Sequence, residues 1–85
     1  MIITRTSRFK KDFQKLPQRI QEQTIQKLRL LVTNIKHPSL RVKKVQGTND
    51  EFELSITMNY RAKFRIETDS YVLMRVGTHN EILRR

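Results

Sequence analysis

The sequence predicts an α+β domain, strand-helix-helix-strand-strand-strand-strand, whose two helices cover one face of a mostly antiparallel sheet across residues 1–85. Three observations predict it. Apolar residues recur at three- and four-residue spacing as far as Ile35, and at every second residue from Phe52 onward. Only two Gly and two Pro interrupt the chain, which leaves little length for linkers.

Each element follows from its residues. Met1 to Thr4 is short and β-branched, a strand signature, and Thr6 and Ser7 suit a helix N-cap. Phe9, Phe13 and Leu16 then share one helix face, with Arg8, Lys10, Lys11 and Lys15 largely on the others. Pro17 breaks that helix and suits the start of the next, along which Ile20, Thr24, Leu28, Leu31 and Ile35 form a buried stripe. His37-Pro38 stops it, because the residue before a proline is pushed out of the helical region. At that helix end His37 reads as a structural imidazolium rather than a catalytic one.

Leu40 to Val45 reads as a short strand, and Gly47 to Asp50 as a turn. Phe52, Leu54 and Ile56 alternate, as do Tyr60, Ala62, Phe64 and Ile66. A three-residue loop, Thr57-Met58-Asn59, pairs Leu54 with Ala62 and Phe52 with Phe64. On the opposite face the same register sets Ser55 by Arg61, Glu53 by Lys63 and Glu51 by Arg65. Tyr71 to Val76 is apolar on both sides of the pleat, as an interior strand is, with Val72, Met74 and Val76 taken to face the helices.

Composition limits the chemistry. The net charge of +10 comes from 18 Lys and Arg against 8 Asp and Glu, so a polyanion is the expected partner. The excess lies before Gly47, and the rest of the chain balances. An apolar fraction of 36% supports a packed core and argues against a disordered basic tail. Without Cys there is no disulfide, thiolate metal site or cysteine nucleophile, and His37 and His79 are too far apart to suggest a metal site. No apolar run is long enough to span a bilayer and no secretory signal core opens the chain, so a cytoplasmic protein is expected, with no membrane partner.

Strand alternation places Arg61, Lys63 and Arg65 on the face away from the helices, and Arg75, Gly77 and His79 beside them. From composition alone this stripe reads as a solvated face balanced by Glu51 and Glu53, and His79 as an exposed strand-end histidine. Lys43 and Lys44, adjacent on a strand, point to opposite faces, so at most one joins the stripe.

The order of elements, with Lys43-Lys44-Val45-Gln46-Gly47, Tyr60-Arg61 and Arg75-Val76-Gly77-Thr78-His79, resembles the RelE/ParE superfamily of bacterial toxin-antitoxin toxins over nearly the whole chain. The Arg-x-Gly-Thr-His ending is most similar to the YafQ-like branch. The resemblance implies a small RelE-like fold and a ribosome-dependent, metal-independent mRNA endoribonuclease with no cofactor, which inhibits translation. It also implies a cognate antitoxin as partner, an acidic segment wrapping the toxin in a hetero-oligomer. The implied reaction is attack of a ribose 2′-hydroxyl on its own 3′-phosphate. It needs an acid, a base and cations on the phosphate. His79 matches the branch's catalytic histidine, an imidazole able to donate or accept a proton near neutral pH. Arg75 and Arg61 match arginines that hold the phosphate.

This chain departs from the pattern in two places. RelE carries lysines on the strand after the glycine turn where this sequence has Glu53 and Ser55, which makes Glu53 a possible base. Leu83 stands where many members have a stacking Tyr or Phe. Lys10, Lys11, Lys15, Arg19, Lys43 and Lys44, with Lys63 and Arg65 on the stripe, are the candidate contacts to RNA and ribosomal phosphate. Two other functions stay open: a ParE-type poison of DNA gyrase, against which Gly77-Thr78-His79 argues, and a nucleic-acid-binding module that does not cleave.

Overall fold

The computed structural model describes residues 1–83, the last as backbone only. Strand β1 (Ile2–Arg5) leads into α1 (Ser7–Gln14), then α2 (Gln18–Thr33) and a 3-10 turn (Pro38–Leu40). Strands β2 (Lys43–Lys44), β3 (Glu51–Ser55), β4 (Tyr60–Ile66) and β5 (Ser70–Thr78) follow, and α3 (His79–Leu83) closes the described chain. The sheet order is β1-β5-β4-β3-β2, with β1 parallel to β5 and every other pair antiparallel.

Local chemistry explains the helix starts. Thr6 caps α1 by accepting from the backbone N–H of Phe9 at 3.2 Å, and its hydroxyl donates to the Leu73 carbonyl at 2.9 Å. One residue thus begins a helix and continues the hydrogen bonding of β5 where β1 ends. Pro17 precedes α2, and Thr24, fully buried on that helix, donates its hydroxyl to the Ile20 carbonyl at 2.7 Å. The core between helices and sheet is built on Phe64, Leu31, Leu40, Leu54 and Leu73, all fully buried. Phe52 stacks on Phe64 at 5.9 Å, and Tyr71 meets Phe64 edge-on at 5.8 Å.

The β3–β4 register agrees with the alternation, Leu54 opposite Ala62 and Phe52 opposite Phe64. Three readings need correction. The strand expected from Leu40 to Val45 shrinks to Lys43–Lys44, because Leu40 is drawn into the core as the last residue of the 3-10 turn. His37 begins that turn instead of ending α2: its Nδ1 accepts from the Ser39 N–H at 3.2 Å. Val72 and Met74 do not face the helices. A bulge leaves Met74 without an opposite residue, since Phe64 pairs with Leu73 and Lys63 with Arg75. The parity therefore flips within β5. Tyr71, Leu73 and Val76 face the core, and Val72 sits beside Arg65 on the open face.

Candidate active site

The open face has a basic cleft at one end. Gly47, at φ 84°, makes the left-handed turn between β2 and β3 that a residue with a Cβ adopts poorly, and Thr48 closes it by donating to the Val45 carbonyl at 2.8 Å. That turn sets Lys43 and Lys44 as one wall of a cleft of about 560 Å3, with Glu53 and His79 also lining it. Glu53 is only 4% exposed, and Lys43 Nζ and Arg61 Nε approach its carboxylate at 3.7 and 3.8 Å. A buried carboxylate between two cations keeps them at the cleft while cancelling part of their charge.

Arg61 has a second function beside Glu53. Its Nη1 donates to the carbonyls of Thr57, Met58 and Tyr60, so the guanidinium clamps the β3–β4 turn. The turn in turn holds the end of β5, because Asn59 accepts the backbone N–H of His79 at 3.3 Å.

His79 is the first residue of α3, and the Thr78-His79-Asn80-Glu81 sequence there is a capping box. The Glu81 carboxylate accepts from the Thr78 N–H at 2.9 Å and the Thr78 hydroxyl at 2.8 Å, while Thr78 Oγ1 accepts from the Glu81 N–H at 3.4 Å. Those two bonds from Thr78, backbone first, hold the Glu81 carboxyl below its ordinary value of 4.5. Arg75 adds to the lowering, while desolvation and the Asp12 carboxylate oppose it. Gly77 lets α3 fold back this closely, since a Cβ there would stand 3.1 Å from Glu81 Oε1 and 3.2 Å from Ile82 Cγ2. Folding favours the ionised form of Glu81, so its stabilisation is complete above pH 4.5 and is lost as the pH falls through the lower folded value. Glu81→Gln should lower stability in urea melts at pH 7, and the gap to wild type should narrow as the pH is taken progressively below 4.5.

Arg75 lies elsewhere. Its Nε donates to Asp12 Oδ2 at 2.7 Å and its Nη2 to Oδ1 at 3.3 Å, and the backbone N–H of Val76 also reaches Asp12, at 3.1 Å. Asp12 and Arg75 line a separate cavity of about 150 Å3 with Lys15, Tyr60 and Glu81. The structure therefore brings His79, Glu53, Lys43 and Lys44 to one cleft, with Arg61 adjoining through Glu53, and does not bring Arg75 into it. Both lysines line that cleft, although Lys43 sits opposite Glu53 and Lys44 opposite Phe52. Lys63 pairs with Glu51 at 3.6 Å and Arg65 with Glu67 at 2.9 Å. Lys10, Lys11, Lys15 and Arg19 are exposed along the helices. The side chain of Leu83 falls outside the described residues.

Sequence reasoning missed two of these residues. Glu81 was legible, three positions after Thr78 in a helix-start pattern. Asp12 carried no local signal, since its partner is 63 positions away. Among the described residues, no group of three or more His, Cys, Asp or Glu could hold a metal ion, and no helix is long and apolar enough to cross a membrane.

Known structures share this architecture. YafQ from E. coli strain BL21(DE3) superposes with a TM-score of 0.80 at 14% identity, over 94% of each chain. The YoeB/ParE toxin from Agrobacterium tumefaciens gives 0.79 at 15% identity, covering 93% of this chain and 99% of that one. A chain of the RelB-RelE antitoxin-toxin complex from Methanococcus jannaschii gives 0.76 at 20% identity, over 93% of each. At such identities the likeness concerns the fold. No curated protein sequence matches this one. The family model for the ParE toxin of the type II toxin-antitoxin system, parDE, matches residues 3–83, and the chain belongs to that toxin family within the RelE/ParE superfamily.

Proposed function

We propose that this toxin is a ribosome-dependent endoribonuclease that cuts mRNA and is silenced by a cognate antitoxin. The observation that carries the reading is the cleft shared by His79, Glu53, Lys43 and Lys44. Cleavage by the ribose itself needs no metal. The 2′-oxygen loses its proton to a base and attacks the adjacent phosphorus, the bond to the 5′-oxygen breaks, and that oxygen takes a proton from an acid. The products are a 2′,3′-cyclic phosphate and a 5′-hydroxyl. His79 is exposed at the cleft wall and serves as acid or base. Glu53 is the available carboxylate for the complementary step, and Lys43, Lys44 and Arg61 offset charge building on the phosphate. Arg75, a candidate phosphate ligand by sequence, is held by Asp12 outside the cleft and in this reading acts through the strand end that the pair anchors.

Solved complexes support an antitoxin partner, since chains of the E. coli DinJ-YafQ complex and of the RelB-RelE antitoxin-toxin complex share this fold. An acidic antitoxin segment suits the +10 charge. The deciding experiment induces the toxin without antitoxin and maps mRNA 5′ ends by primer extension. New ends in arrested cells support cleavage; arrest without new ends removes it and favours a gyrase-type poison.

The helix cations take the ribosome in this reading, apart from the chemistry. Replacing Lys10, Lys11, Lys15 and Arg19 together by Gln should flatten the salt dependence of ribosome binding, by a slope of about 0.7 for each phosphate no longer neutralised. An unchanged slope in sedimentation assays at graded salt would place the ribosome on another surface.

A further inference from the structure

We propose that a second cleft, on the other side of His79 from the lysines, is a nucleobase subsite that reads a base next to the cut; this rests on the endoribonuclease reading. The second cleft, of about 450 Å3, is lined by Met58, Asn59, Tyr60, Thr78 and Asn80, and His79 lines it as well as the basic cleft. His79 is therefore a wall common to two clefts of opposite character. The first carries Lys43 and Lys44 and suits a phosphodiester. Among the described residues the second is lined by no Lys, Arg, Asp or Glu, so a phosphate finds no partner cation among them, whereas an uncharged heterocycle finds amides, a phenol and a thioether.

Met58 sharpens this. It is 87% exposed at the tip of the β3–β4 turn, a place where a large apolar side chain has no core to join. A flexible, polarizable thioether at the mouth of a cleft makes a good platform for a flat aromatic ring. The side-chain amides of Asn59 and Asn80 make no hydrogen bond among the described residues. Each offers a paired donor and acceptor, the complement of a base edge. Hydrogen bonds tie the walls of this cleft together. Arg61 clamps the turn carbonyls, the Asn59 carbonyl holds the His79 N–H, and the Thr78–Glu81 box fixes the start of α3, where Asn80 sits. Recognition of a base in this cleft thereby sets where the adjoining phosphodiester falls relative to the imidazole.

The test uses the intact toxin on ribosomes loaded with mRNA randomised across the decoded codon, with all 5′ ends sequenced. Wild type, Met58→Ala, Asn59→Ala and Asn80→Ala are compared, with Asn59→Asp and Asn80→Asp as size-matched variants that remove the amide donor. Wild type should show a base preference at one position flanking the cut. At least one Asn variant should reduce that preference by about fivefold or more, and Met58→Ala should raise KM for every base alike. The Asn59 backbone bond to His79 survives each change, and circular dichroism confirms folding. A wild-type profile without preference at either flanking position overturns the subsite, as does one that all variants preserve within about twofold. An absence of new 5′ ends from wild type instead removes the endoribonuclease reading, and the subsite with it.

Discussion

His79→Ala should abolish growth arrest on induction and reduce new mRNA 5′ ends by about 100-fold or more, the range expected when a general acid or base is removed. The loss should come from chemistry rather than folding. The His79 side chain is exposed, its structural contact is the backbone N–H donated to Asn59, and alanine is a good helix former at the start of α3. Stability should therefore change by no more than about 0.5 kcal/mol, as for other surface substitutions. The variant should also still bind ribosomes, because the helix cations are untouched. Growth curves, primer extension and a thermal melt together decide the matter. A folded His79→Ala protein that arrests growth and yields the wild-type 5′ ends would remove the imidazole from the mechanism. One that loses the ends yet still arrests growth would separate toxicity from cleavage.

What the sequence made legible follows how far each signal reaches along the chain. The helix of Ile20, Leu28 and Leu31, and the alternation of Phe52, Leu54, Ala62 and Phe64, are local patterns, and the structure contains both in the expected register. The bulge at Met74 left no such mark. All of Tyr71 to Val76 except Arg75 is apolar, so either parity satisfied the pattern, and tertiary packing put Leu73 in the core cluster and left the buried Val72 outside it. The candidate site divides in the same way. His79, Lys43, Lys44 and Glu53 were named from motifs, but their meeting in one cleft depends on the short β2 pairing with β3, which the strand expected from Leu40 to Val45 only approximated. Arg75 was placed on the open face beside His79, as a phosphate-holding arginine, because nothing near it in sequence announces Asp12. The physics of the Gly77-Thr78-His79 ending is a close approach followed by a helix cap.

Asp12→Ala should be the most damaging substitution at a charged position, costing about 2–4 kcal/mol, the range for breaking a partly buried ion pair and orphaning a donor. Among the described residues, Asp12 is the acceptor through which α1 holds the far half of β5. Strand β1 pairs with β5 from Ser70 to Leu73, and beyond that point this edge of β5 has no strand beside it among the described residues. Thr6 takes over at the Leu73 carbonyl, and Asp12 at the Val76 N–H. The same carboxylate receives Nε and Nη2 of Arg75, and the two side chains are 12% and 23% exposed, so solvent replaces little of what is removed. In a domain of this size the melting temperature should fall by roughly 10 °C or more. Asp12→Asn separates the contributions, because an amide oxygen still accepts from Val76 but no longer neutralises Arg75; it should cost less than alanine. A double-mutant cycle with Arg75→Ala should give a coupling of about 1 kcal/mol or more. Additivity of the two single changes would mean that the pair does not act as a unit. In that case Arg75 is free to leave Asp12, and its Ala variant should impair cleavage far more than stability.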